Sequence, residues 1–129
     1  DRLELRDGML HILDLKTGSV RAEQLRMKDL SREAMHPRSQ FALQLLMYAM
    51  MALEADPALP AVRAGIIPVR TPSQSDGIWL SIGREQDIRR EQLPAMRDLI
   101  TVLMQELLDP QRPFAHNPDS RHCLCCLQG

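Results

Sequence analysis

Asp1, Asp14 and Lys16 are the residues of this chain whose types and spacing best suit chemistry. A pair of carboxylates can hold a hard divalent cation. An ammonium beside it can orient a bound water or offset charge that develops on a phosphoryl oxygen. The three meet only if the intervening chain folds back on itself. Asp7-Gly8 lies midway and is a strong signal for a two-residue type I′ hairpin, in which both central residues take positive φ. That turn sets Arg6 opposite Met9, and the same register carried outward sets Asp1 opposite Asp14. Directly opposed residues share one face, with Cβ atoms roughly 5 Å apart. Carboxylates that close repel each other unless a cation lies between them. Lys16, two residues past Asp14, projects to the same side. Two acids and a lysine converging there suggest a divalent-metal site for phosphodiester chemistry. The competing reading makes them solvated strand-end acids with a surface lysine, and it is the commoner one for a bare Asp-x-Lys. The hairpin register is what makes the metal site competitive.

The elements that must position these residues follow from local pattern. Residues 1–6 and 9–15 form the two strands, ended by Thr17-Gly18-Ser19. The face that carries the acids also carries Leu3, Leu5, Leu10 and Ile12, which places the carboxylates at the rim of the core. His11 falls opposite Glu4 and reads as a surface pair. Residues 20–38 are polar, partly helical, and carry Arg21, Arg26, Lys28, Arg32 and Arg38; they are the best candidates for phosphate-backbone contact. Ser39 is a plausible N-cap for a helix over 40–55, which is apolar nearly all round and so is expected to be buried on most sides. Residues 61–70 read as a strand that Pro68 assigns to an edge or a bulge. A short strand follows at 78–82, with Trp79 packing a hydrophobic surface. A helix over 91–108 has Pro94 in its first turn and an apolar stripe of Leu93, Met96, Ile100, Leu103 and Leu107.

Composition narrows the classes. The chain has 129 residues, which suits one domain with one core. Its 16 basic and 17 acidic residues leave a formal net charge of −1, so no global basic field points to nucleic acid and any polyanion must be met by a local patch or a metal. One Trp, one Tyr and two Phe are too few for recognition by base stacking. No stretch is long and apolar enough to span a bilayer, and no signal peptide is visible. Cys123, Cys125 and Cys126 crowd one end, which is no disulfide framework and fits a reducing, cytoplasmic setting.

Gln44 and Tyr48 lie four apart on one helix face. A buried Gln on an apolar helix needs a partner, which can be a substrate phosphate, a metal-bound water or neighbouring backbone. Together, Asp1-Arg-Leu-Glu, the run Leu-Asp14-Leu-Lys16-Thr-Gly and Gln44-x-x-x-Tyr48 resemble the PD-(D/E)XK nucleases, and most closely the RecB/AddB-type nuclease domain. Leu15 stands where that pattern usually has Tyr. The likeness continues through Gly65-Ile-Ile-Pro-Val-Arg70, Pro113-Phe114 and Cys123-x-x-Cys126.

The resemblance implies an α/β fold: a restriction-endonuclease-like core with a mixed central sheet flanked by helices. It implies Mg²⁺- or Mn²⁺-dependent hydrolysis of DNA phosphodiesters, as the exonuclease part of a repair or recombination helicase-nuclease. Asp1, Asp14 and the main-chain carbonyl of Leu15 would hold the metal. Lys16 would be the catalytic lysine, with Gln44 and Tyr48 supporting the site or touching the DNA backbone. Helicase domains or subunits of a larger complex would be partners. The family places a helix before the first Asp strand, so the chain is expected to lack that N-terminal part and the end of its cysteine tail. Cys123 and Cys126 would ligate an iron–sulfur cluster in a longer parent chain, whereas here the thiols are read as free. Two rival readings remain: a catalytically inactive relative that binds DNA or acts as a scaffold, and a small structural domain organised by metal at the cysteines.

Overall fold

The computed structural model describes residues 1–114, apart from the side chain of Pro72. The hairpin forms as its turn chemistry dictates. Strand β1 (Arg2–Arg6) and strand β2 (Met9–Lys16) pair antiparallel, with Arg6 opposite Met9 and Arg2 opposite Leu13. Asp7 and Gly8 both take positive φ, at 49° and 77°. After β2 the chain makes a short 3₁₀ turn (Ala22–Leu25) and strand β3 (Arg26–Met27), then helix α1 (Gln40–Ala55). Strand β4 (Ala61–Pro68) is followed by β5 (Ile78–Trp79), β6 (Ser81–Ile82) and β7 (Ile88–Arg89), and helix α2 (Leu93–Leu108) closes the described chain.

The main sheet is mixed. Its order runs β1-β2-β4-β5, with β7 also on β4. β2 and β4 are parallel and the other pairs are antiparallel. A two-stranded parallel ribbon of β3 and β6 lies beside it. Helix α1 is the crossover between the parallel strands, as a parallel pair requires. Its buried residues Ala42, Leu45, Leu46, Ala49 and Leu53 pack with Ile12, Ala64 and Ile66 of the sheet and with Met96 and Leu99 of α2 in one core cluster.

Four expectations need correction. Leu3 and Leu5 share the face of Ile12 and Asp14, yet they are 68% and 71% exposed, because the core gathered under α1 does not extend over the edge strand β1. Helix α1 is accordingly not buried on most sides: Met47 and Met51 stay exposed. β4 is a central strand despite Pro68. The proline is its last residue, and the following Val69 N–H donates to the Lys16 carbonyl at 2.9 Å, so the ladder loses little. The stripe of α2 is displaced: Leu93, Met96 and Leu99 are buried, whereas Leu107 is 54% exposed beyond the region that the core covers.

Two local details complete the frame. Ser39 occupies the N-cap position of α1, but its hydroxyl accepts from the His36 N–H rather than from the helix. The stretch 78–82 is split, with Trp79 opposite Gly65 in one sheet and Ile82 opposite Met27 in the other.

Candidate active site at the end of the central strands

Asp14 sits on β2, two residues before the strand ends, with Ile66 as its partner across the parallel ladder. Alternation turns its side chain to the face that α1 covers, along with Ile12. It is only 3% exposed. Lys16, the last residue of β2, points the same way, and its Nζ lies 2.9 Å from Asp14 Oδ2. That contact is charge attraction without hydrogen-bond alignment, for Asp14 Oδ2 has no hydrogen-bond partner among the described residues. A buried carboxylate oxygen without an aligned donor is costly. An incoming cation or hydrogen-bond donor would relieve that cost.

Asp1 immediately precedes β1 and is exposed. The ladder pairs residues whose numbers sum to fifteen, and its outermost pair is Arg2 with Leu13, so Asp1 lies one residue beyond the paired strand. Leu15 turns its side chain to the opposite face and is 48% exposed, while its main chain runs beside Ile67. The backbone carbonyl of Lys16 is engaged by Val69.

Gln44 and Tyr48 form one unit. The Gln44 amide Nε2 donates to the Tyr48 hydroxyl at 2.9 Å, so the partner of the amide is the other member of the pair rather than backbone. Gln40, Leu43, Gln44, Met47, Tyr48 and Met51 line a shallow groove of about 320 Å³ along α1. Phe41 starts this helix side and was not singled out from the sequence. Its ring centroid lies 5.6 Å from Lys16 Nζ. Phe41, Gln44 and Tyr48 fall at i, i+3 and i+7, so one stripe of α1 leads away from the lysine. The signal was present in Phe41-x-x-Gln44, three residues being just under one helical turn.

Arg32, one of the bases of residues 20–38, is not a free surface charge. Arg32 donates from Nε to both Glu106 carboxylate oxygens at 2.9 Å, and this hydrogen bonding holds the Glu106 carboxyl below its ordinary range. Arg21, Arg26 and Lys28 are exposed. His11 is not a surface pair either. Its register opposite Glu4 is as expected, but Glu4 is held by Arg2 and Arg6, and His11 is buried edge-on against Trp79 with ring centroids 5.1 Å apart. Cys123, Cys125 and Cys126 lie outside the described residues.

The donor set fits a hard cation only in part. Asp14 offers a buried carboxylate oxygen without a hydrogen-bond partner, a hard donor of the kind that Mg²⁺ and Mn²⁺ prefer. Among the described residues no group of three or more His, Cys, Asp or Glu gathers, so a bound ion would keep several waters.

A mixed sheet crossed by a helix, with an acid and a lysine side by side at the end of a parallel strand, is the architecture of a restriction-endonuclease-like domain. The family model of the PD-(D/E)XK nuclease superfamily matches residues 1–127, and the chain belongs to that superfamily. Neither the curated proteins nor the solved structures gave a significant match. No helix among the described residues is long and apolar enough to cross a membrane.

Proposed function

We propose that this chain hydrolyses DNA phosphodiesters with Mg²⁺ or Mn²⁺, as the exonuclease part of a RecB/AddB-type helicase-nuclease. The observation that carries the reading is the buried Asp14 carboxylate, with its unpartnered Oδ2, beside the Lys16 ammonium. Asp14, Asp1 and the Leu15 main-chain carbonyl are the ligands proposed for the ion. When bound, the ion would polarise a phosphoryl oxygen and lower the pKa of a water.

The chain's own residues supply the rest. Lys16 holds a compact positive charge where the scissile phosphate would develop negative charge, and its N–H groups can orient an attacking water. The ion pair with Asp14 keeps this charge at the strand end before substrate arrives. The Tyr48 hydroxyl accepts from Gln44, which leaves its own proton free to donate to a backbone phosphate. The exposed Arg21, Arg26 and Lys28 extend phosphate contact beyond the site. The cysteine tail is proposed to hold an iron–sulfur cluster only in a longer parent chain, and the setting is proposed to be cytoplasmic.

The test is cleavage of linear DNA with Mn²⁺, compared with Asp14→Asn and Lys16→Ala. Cleavage lost in both variants supports the enzyme. DNA binding without cleavage, in a chain extended at its N-terminus, supports the inactive DNA-binding relative instead.

A further inference from the structure

Lys16 ends a strand, and its long side chain has many rotamers to lose before it can hold one direction. The Asp14 contact is close but not aligned as a hydrogen bond, so charge attraction alone does not fix the direction of the ammonium. A second restraint comes from another element. The Phe41 ring, in the first turn of α1, stands 5.6 Å from Nζ, within the range of a cation–π contact. Lys16 is held between these two groups, with 29% of its side chain exposed.

We infer that Phe41 is a positioning residue whose ring orients the Lys16 ammonium at the end of β2. The ring face attracts the charge without acting as a hydrogen-bond acceptor of the usual strength, which leaves N–H directions for a phosphoryl oxygen or a water. It also fixes α1 relative to the strand end, so that Gln44 and Tyr48 follow from the same anchor. The catalytic meaning of this contact rests on the nuclease reading; the contact itself does not.

The test uses the whole chain with Phe41→Leu and Phe41→Tyr. By NMR without DNA, the Lys16 ε-methylene protons of the unsubstituted chain should be shifted upfield by the ring and show cross-relaxation to it. Phe41→Leu should abolish that shift and Phe41→Tyr should keep it. In Mn²⁺-dependent cleavage, Phe41→Leu should lower kcat about fivefold, the factor that about 1 kcal/mol represents, with KM unchanged. Phe41→Tyr should restore it. Methylene signals without a ring shift in the unsubstituted chain would overturn the inference, as would equal kcat values for Leu and Tyr. If Phe41→Leu does not fold, the cross-relaxation in the unsubstituted chain decides. A chain that never cleaves DNA would defeat the nuclease reading and leave the NMR result standing.

Discussion

Asp14 and His11 are three residues apart on the same strand, on opposite faces, and both are buried polar groups with an unpartnered atom. Asp14 Oδ2 and His11 Nδ1 are the two buried side-chain atoms among the described residues that lack a hydrogen bond. Their surroundings differ in one decisive way. Asp14 is near the end of β2, next to a lysine, an aromatic ring and a helix groove. His11 lies mid-strand, between Glu4 and Arg63 along the ladder, with Trp79 packed against it. Burial alone therefore does not mark a site. An orphaned atom at a strand end, with an opposite charge beside it, can take a ligand; one under an indole in mid-sheet is a cost that packing offsets.

The largest effect should come from Asp14 and Lys16. Asp14→Asn or Lys16→Ala should lower Mn²⁺-dependent cleavage by roughly 10²–10³-fold. His11→Phe, three residues away on the reverse face, should leave cleavage near its original rate. Thermal unfolding of all three variants would show that folding is intact. Cleavage that survives in Asp14→Asn but fails in His11→Phe would reverse the assignment of the two faces.

Next comes the packing of the reverse face. Trp79→Ala removes the ring that shields His11 and should cost about 3 kcal/mol in denaturant unfolding. Gly65→Ala acts on the same contact from beneath. A Cβ there would stand 2.8 Å from Trp79 Cε3 and 2.9 Å from the Ile78 carbonyl oxygen. Neither the indole nor the strand backbone can yield cheaply, so a loss of about 2 kcal/mol is expected. Both variants should keep the Asp14–Lys16 pair. Loss of cleavage out of proportion to loss of fold would show the two faces to be coupled.

The contrast between the faces also explains how much was legible in the sequence. The hairpin and its register were, because Asp-Gly admits few alternatives and period two then fixes every pairing. Helix α1 was, because its span is bounded by Ser39 and Asp56-Pro57 and nothing inside breaks it. Legibility failed where tertiary cover decides. Leu3 and Leu5 alternate as core residues do, yet α1 lies over β2 and β4 and does not reach them. His11 alternates as a surface residue does, yet Trp79, nearly seventy residues away, closes over it. Phe41 reads in the sequence as one more apolar helix residue, since its distance from Lys16 depends on where the crossover helix lands. The Asp14–Lys16 contact was thus readable because it depends on alternation along one strand, whereas the Phe41 contact depends on where a distant element lands and was not.

The smallest effect is the most direct probe of the buried His11. Burial lowers its pKa below the ordinary 6.5, the charges of Arg6 and Arg63 push the same way, and Asp7 and Asp87 oppose them. The native chain then binds fewer protons than the unfolded one between the folded value and 6.5. The associated stability is fully present above pH 6.5 and erodes as pH falls below it, until the folded group also titrates. The urea midpoint of the unsubstituted chain should therefore fall more steeply between pH 7.5 and 5.5 than that of His11→Phe, in which every other titrating group is shared. Trp79→Ala should flatten the slope as well, because an opened site lets His11 protonate while folded. Parallel pH curves for the unsubstituted chain and His11→Phe would mean that water reaches the imidazole past the indole, and the two faces of β2 would then differ far less than their burial implies.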